Sequence, residues 1–179
     1  MKRHTLFYGF ALITVLLIGL LVLTLQPVTA SGATQQDDVP LGGALYDKWY
    51  AVLGVDPPNG NQPIWQRQTS NTRSGPDTWR CVSCHGWDYQ GKDGAYRSGQ
   101  NYTGFPGILQ ASQEKSVDEL VGVLKGKSDP AHDFSPYIDD AHLTALAQFL
   151  KNALIDDNEY IDPISLKVKN GDSAHGQQL

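Results

Sequence analysis

Two cysteines and a histidine, Cys81, Cys84 and His85, lie together in the segment Cys-Val-Ser-Cys-His. In a C-x-x-C-H motif the thiols can form thioethers with the vinyl groups of a porphyrin, and the adjacent imidazole can bind the iron at its centre. The two intervening residues let a single turn of backbone present both sulfur atoms to one edge of the macrocycle. These are the only cysteines in 179 residues. The motif therefore predicts one covalently attached haem c, with His85 as the proximal ligand of its iron.

Two other kinds of site also use paired cysteines. A structural zinc would need further ligands at H-x3-5-H spacing or a second C-x-x-C, and the next histidines are His132 and His142, ten residues apart. A thioredoxin-like redox dithiol would follow a strand in a βαβ pattern, and the sequence has no such alternation. Covalent haem accounts for the motif better than either.

The N-terminal segment has the composition of an export signal. Residues 1–4 are Met-Lys-Arg-His, residues 6–25 are uncharged and strongly apolar, and Val-Thr-Ala at 28–30 supplies the small residues of a cleavage site. The apolar run is longer than the ~7–15 residues of a signal peptide and close to the ~20 that span a bilayer. Residues 1–30 are thus predicted to be a signal peptide or an N-terminal membrane anchor, with the rest periplasmic or on the outer face of the cytoplasmic membrane.

The charge of the chain bears on its partners. Cleavage after residue 30 would remove Lys2 and Arg3 from the 14 basic residues and none of the 19 acidic ones, which moves the formal net charge from −5 to −7. An acidic surface argues against nucleic acid as a partner and favours redox partner proteins that carry a basic docking patch. Simple solubility explains the same charge.

The remaining chain has the length of one domain. Residues 31–40 are polar and are predicted to be a flexible tether, 41–154 to be the domain, and 155–179 to be a C-terminal tail. No stretch alternates cleanly between apolar and polar residues, as a half-buried strand would. The predicted fold class is therefore all-α, with long loops between the helices.

The first helix is predicted at 41–54. Its apolar residues repeat at i, i+4, i+7 and i+8, the spacing of one helix face, and are Leu45, Trp49, Val52 and Leu53. Gly54 is a helix-ending residue. Residues 55–80 are rich in Pro, Gly, Asn and Ser and are predicted to form a long loop, whose length would be explained if it covers a haem edge.

Two more helices are predicted after the motif. Ser116 and Glu119 form a capping box that begins a helix running to about Lys127. A last helix should run from near Asp139 to Leu154, since apolar residues recur there on one stripe. The segment between the motif and these helices, 86–107, is rich in glycine and in aromatic residues that are expected to wall the haem: Trp87, Tyr89, Tyr96, Tyr102 and Phe105.

Taken together, these features resemble the small class I cytochromes c over about residues 41–154. The resemblance lies in a glycine-containing first helix with Leu-Tyr, the C-x-x-C-H motif, a loop-built middle and a final helix of the form Ile-Asp-Asp-Ala-His-Leu-Thr-Ala-Leu-Ala-Gln-Phe-Leu. It implies that the first and last helices cross, that a backbone carbonyl near Pro106 accepts a hydrogen bond from His85, and that the distal iron ligand lies on the loop before the last helix.

The distal ligand of that family is usually methionine, and here the sequence departs from it. Met1, in the export segment, is the only methionine. His132 lies where the resemblance implies the distal loop, so we predict His132 as the distal iron ligand and a His/His haem. A water-bound or open distal site and ligation by His142 remain as alternatives.

The resemblance implies one-electron transfer as the function. A haem enzyme remains open, either a dehydrogenase of a small molecule such as thiosulfate or a peroxidase-like activity, as does a haem-based sensor, because each needs an open distal site. No catalytic acid-base group can be chosen from the sequence, which weighs against an enzyme. Residues 168–179 also resemble the opening of a second cytochrome c domain, so the tail is predicted to be the stub of a diheme protein or a disordered end.

Overall fold

Helices, turns and loops make up residues 38–177, the residues that the computed structural model describes. Within this range no strand forms, and extended pairing is limited to the isolated bridges Gly91–Pro106, Lys125–Asp133 and Ile161–Val168. The predicted all-α class is confirmed for this part of the chain. The predicted signal or anchor at 1–30 lies outside the described residues, as does most of the predicted tether.

Within residues 38–177 the α-helices are α1 (Val39–Leu53), α2 (Cys81–His85), α3 (Leu109–Glu114), α4 (Val117–Leu124), α5 (Asp140–Asn152) and α6 (Ser173–Gly176). Short 3-10 helices lie in the connecting segments, at Pro63–Arg67, Gly75–Trp79, Gly99–Asn101, Pro130–His132 and Asp157–Glu159. In this range no helix is both long and apolar enough to cross a bilayer.

Helix α1 ends as the sequence predicts, but its buried face differs in part. Gly54 ends it in the left-handed conformation with φ 66°. Leu45 and Trp49 are fully buried, as predicted, whereas Val52 is 39% exposed and that prediction is wrong. Lys48 has a non-helical backbone (φ −152°, ψ 71°), which interrupts the regular helical period before Val52.

The core lies where α1 crosses α5, with α4 packed beside α5. Gly42 is the point of closest approach, because a Cβ atom built there would overlap the carbonyl oxygen of Ala145 and lie 2.5 Å from Cβ of Phe149. Only a residue without a side chain lets the two backbones come this near. Leu143, Leu146 and Leu150 of α5 are buried against this crossing.

The capping signals place both later helices. Ser116 and Glu119 form the predicted capping box at the start of α4, and Asp139 caps α5 by accepting from the backbone N–H of His142 at 2.9 Å. Each helix ends two or three residues earlier than predicted, at Leu124 and Asn152. The additional helix α3 was not predicted, because its six residues are too short for a periodic pattern to be recognised.

The segment after α5 folds back onto the loop that follows the motif. Gln90 exchanges hydrogen bonds with the side chains of Asp157 (2.6 Å) and Asn158 (3.2 Å). Arg97 donates to the carbonyl oxygens of Pro163 (2.6 Å) and Ile164 (2.8 Å). The ordered contacts of the domain therefore continue past the boundary at 154 that composition suggested.

The Arg97 contacts give a testable prediction about the tail. Replacing Arg97 with Ala removes both hydrogen bonds, and we expect limited proteolysis within residues 160–169 to become severalfold faster. Lys92→Ala, which changes an exposed lysine of the same loop, is the control and should leave cleavage unchanged. Equal cleavage rates in the two variants would show that Arg97 does not hold the tail.

Candidate functional site

Helix α2 is the C-x-x-C-H motif itself, and the surrounding fold holds both of its ends. On one side, the indole N–H of Trp49 donates to the carbonyl oxygen of Trp79 at 2.9 Å. On the other, the hydroxyl of Tyr46 donates to the carbonyl oxygen of Gly86 at 2.7 Å. Both donors belong to the buried face of α1, so the first helix fixes the segment that carries the motif.

Cys81, Cys84 and His85 all line one cavity of about 440 Å³. Its lining residues come from several segments between residues 46 and 150, and the lining surface is mostly apolar. They include Ile64, Phe105, Ile108, Leu120, Val123, Leu124, Phe134, Leu146 and Leu150. Charged side chains at its lining are Arg67, Arg80, Lys115 and Asp129. The cavity is thus a single apolar space with three potential haem-attaching groups on one wall.

The imidazole of His85 is oriented by a backbone carbonyl. Its Nδ1 lies 2.9 Å from the carbonyl oxygen of Pro106, the acceptor that the family resemblance implies. Because a carbonyl can only accept, Nδ1 carries the proton and Nε2 keeps a free electron pair. Burial lowers the pKa of His85 to about 4, so the ring is neutral at pH 7.

His132 lies across the cavity in a similar state. It ends the 3-10 helix Pro130–His132, and its Nδ1 is 3.3 Å from the carbonyl oxygen of Val123. Burial lowers its pKa below the usual value, with the Val123 carbonyl and the charge of Asp129 acting in the opposite direction. A neutral imidazole with a protonated Nδ1 is the form that binds a metal through Nε2.

The structure brings His85 and His132 together. Their ring centres are 6.3 Å apart and their planes are inclined by 74°. The other histidines lie elsewhere: Nδ1 of His142 is 2.8 Å from a carboxylate oxygen of Asp139, outside the cavity, and His175 is exposed on α6. Of the histidines in the described residues, His132 is the one that faces the motif.

The two thiols are held in a form that suits neither a redox dithiol nor a zinc site. Burial raises the pKa of both Cys81 and Cys84 to about 12, whereas reactive cysteines have a lowered pKa. No group of three or more His, Cys, Asp or Glu side chains converges as metal ligands anywhere in residues 38–177.

The aromatic residues after the motif have mostly structural positions. Phe105 lines the cavity as expected. Trp87 is 57% exposed, and Tyr89 packs against Tyr46 and Phe149 with ring centres 5.3 and 6.0 Å away. The expectation that these aromatics form the cavity wall is therefore wrong for Trp87 and Tyr89, because the loop directs them outward or into the α1–α5 core.

Sequence reasoning missed the polar residues that connect the long loop to the segment of His132. The guanidinium of Arg67 forms a bidentate ion pair with the carboxylate of Asp129, in which Nη2 donates to Oδ1 at 3.0 Å. The side-chain amide of Gln62 donates to the carbonyl oxygen of Ala131 at 2.7 Å. No local pattern signals these contacts, since each joins residues more than 60 positions apart.

Comparisons of the chain with protein-family models, with curated proteins and with solved structures find no match. The functional interpretation of the cavity consequently depends on its own residues and on the motif.

Proposed function

We propose that this chain is a class I c-type cytochrome that carries single electrons through one haem c in the cavity. Cys81 and Cys84 would form the thioethers, and His85 and His132 would bind the iron. When bound, the haem supplies an iron centre that accepts and releases one electron. The protein supplies the two imidazoles, their orientation and an apolar surrounding.

The spacing of the two imidazoles is the observation that carries the proposal. With a metal–nitrogen bond of about 2.0–2.1 Å on each side, two imidazoles on opposite sides of one ion have ring centres roughly 6.3 Å apart. The ring centres of His85 and His132 are 6.3 Å apart. Each Nδ1 faces a backbone carbonyl, so both rings keep Nε2 for the metal.

The rest of the cavity suits a flat, largely apolar cofactor. Its volume of about 440 Å³ is within the ~300–1,000 Å³ of small-molecule and cofactor sites. The neutral thiols of Cys81 and Cys84 stand on the same wall as His85, as the thioether chemistry requires. Arg67 and Lys115 supply positive charge at the lining, which favours the carboxylates that a haem carries.

An electron carrier fits the lining better than an acid-base enzyme. Asp129 is the carboxylate among the lining residues in the described part of the chain. Its hydrogen bonds with Arg67 and with the Ala131 N–H lower its pKa, so it stays ionised and is a poor proton donor. Two histidines on the iron would also leave no coordination position for a substrate.

The same proposal implies a cellular location for the protein. Haem is attached to C-x-x-C-H outside the bacterial cytoplasm, in agreement with the export-type segment at 1–30. We propose a periplasmic or membrane-attached carrier that exchanges electrons with redox partner proteins. Its acidic charge favours partners with basic docking surfaces.

Mass spectrometry of the denatured protein tests covalent attachment. The exported chain should keep about one haem mass, roughly 616 Da, after acid-acetone extraction. The double variant Cys81→Ala/Cys84→Ala should lose that mass, whereas Ser83→Ala, a change between the two cysteines, should retain it. A wild-type chain without the added mass would contradict the proposal.

Redox titration of the same preparation tests electron transfer. The haem should titrate as a single one-electron couple, at a lower potential than His/Met cytochromes because a methionine ligand raises the potential. A two-electron couple, or rapid turnover of a small substrate such as thiosulfate, would favour the enzyme interpretation instead.

A further inference from the structure

Gln62 lies in the long loop before the motif and makes three hydrogen bonds that join separate parts of the cavity wall. It is only 4% exposed. Its backbone N–H donates to Oγ1 of Thr78 (2.9 Å), its Oε1 accepts from the backbone N–H of Ile64 (2.6 Å), and its Nε2 donates to the carbonyl oxygen of Ala131 (2.7 Å). The last contact spans 69 residues of sequence.

The Ala131 contact acts on the backbone of His132. The carbonyl of Ala131 belongs to the peptide group that joins Ala131 to His132, so a hydrogen bond to this oxygen fixes the plane from which the His132 side chain extends. The other end of the same turn is held by Asp129, which accepts from the Ala131 N–H at 3.0 Å and pairs with Arg67.

The two attachments of this turn differ in strength. The Arg67 side chain is 54% exposed, so water and salt weaken its ion pair with Asp129. Gln62 is buried and its contact with Ala131 is partly buried, and an unmade hydrogen bond costs more there than at the surface. Gln62 is therefore the stronger candidate for holding His132 in place.

The backbone of the same residue is tied to the segment that carries the proximal ligand. Thr78, the acceptor of the Gln62 N–H, is fully buried in the 3-10 helix Gly75–Trp79, and its hydroxyl donates to the carbonyl oxygen of Gly75 at 2.7 Å. A single residue, Arg80, separates this helix from α2, and the two helices are in contact. Gln62 thus links the backbone near His85 to the backbone of His132.

We propose that Gln62 is a positioning residue that sets the distance between the two imidazoles and holds His132 at the distal position. This inference rests on the proposed His/His haem. It also gives the loop 55–80 a specific role, since the loop brings an amide to the distal turn as well as covering the cavity.

Three variants of the haem-loaded protein test the role of Gln62. Gln62→Met keeps the volume and removes both side-chain hydrogen bonds. Gln62→Asn keeps an amide that can cap the Pro63–Arg67 helix but is one carbon too short to reach Ala131. Gln68→Met is the matched control, because the hydrogen bonds of the Gln68 amide stay within its own loop, to the backbone of Asn71 (2.7 and 3.0 Å) and the hydroxyl of Ser70 (3.5 Å).

The readouts are the rate of carbon monoxide binding to the ferrous protein and the spin state of the ferric protein. We expect both Gln62 variants to bind carbon monoxide about five- to tenfold faster than the unmutated protein and to show a high-spin fraction, as the loss of one partly buried hydrogen bond would give. Gln68→Met should match the unmutated protein. If the Gln62→Met protein does not accumulate in a folded form, Gln62→Asn alone tests the role of Gln62.

The outcomes separate this inference from the function on which it rests. Slow binding by the unmutated protein together with equally slow binding by Gln62→Asn would overturn the role of Gln62 and leave the His/His haem intact. An equal increase in Gln68→Met would also overturn it, by showing a general effect of the loop. Fast binding by the unmutated protein would overturn the distal assignment itself.

Discussion

Replacing His132 with Ala should convert the proposed haem from a low-spin to a high-spin ferric form and let the ferrous form bind carbon monoxide rapidly. The reason is the geometry of the cavity, in which His132 is the side chain that faces His85 at imidazole-metal-imidazole spacing. Without it, water or a small ligand can reach the iron. Optical and electron paramagnetic resonance spectra report the spin state, and flash photolysis reports the binding rate. The unmutated protein should bind carbon monoxide slowly and lack the charge-transfer band of a thioether-to-iron bond.

His142→Ala is the matched control for this experiment. His142 lies ten residues further along, at the start of α5, and its imidazole interacts with Asp139 outside the cavity. Its removal should change neither the spin state nor the carbon monoxide rate. If His142→Ala became high-spin and His132→Ala did not, the distal assignment would be wrong. Rapid carbon monoxide binding by the unmutated protein would move the interpretation to an enzyme or a sensor.

A Gly42→Ala substitution should lower the free energy of unfolding by about 3 kcal/mol, at the upper end of the usual cost of overpacking a core. The added Cβ would overlap the carbonyl oxygen of Ala145, a backbone atom that no change of rotamer can move. Helix α1 would have to separate from α5, and this movement would disturb the cavity wall to which Tyr46 belongs. Urea denaturation of the haem-loaded protein, followed by tryptophan fluorescence, measures the loss.

Gly43→Ala provides the control on the same helix. A Cβ there would lie 3.2 Å from Cε2 of Phe149, at the edge of a ring that is partly exposed and can move. Alanine also favours a helix over glycine by about 1 kcal/mol, which offsets a small clash. We expect stability within about 1 kcal/mol of the unmutated protein. If both variants lost the same stability, the α1–α5 approach at Gly42 would not be the close contact described.

The sequence predicts the helices well where local chemistry determines them. Ser116, Glu119 and Asp139 form caps with neighbours three residues away, and Gly54 ends α1 through its own backbone conformation. These signals need no knowledge of the tertiary fold. Val52 was assigned to the buried face because a regular helical period was assumed, and the non-helical Lys48 could not be anticipated from propensity.

The residues of the candidate site also divide into those that the sequence predicts and those that only the tertiary fold brings into place. Cys81, Cys84 and His85 lie within five consecutive residues, so their position on a common wall follows from the motif. His132 could be predicted because it lies on the loop before the last helix, where the family resemblance implies the distal ligand. Its approach to His85 depends on the tertiary fold. Gln62 could not be predicted, since nothing in a Pro- and Asn-rich loop indicates a partner 69 residues away.

The wall formed by α5 has a consequence for the order in which folding and thioether formation would occur. Until Leu146 and Leu150 take their places in the wall, the cavity cannot close around the motif at 81–85. In the unfolded chain Cys81 and Cys84 are ordinary solvated thiols with a pKa near ~8.5, and they reach a pKa of about 12 only in the folded domain. The chain is thus more nucleophilic before it folds, so the proposed thioethers would form before the domain closes around them.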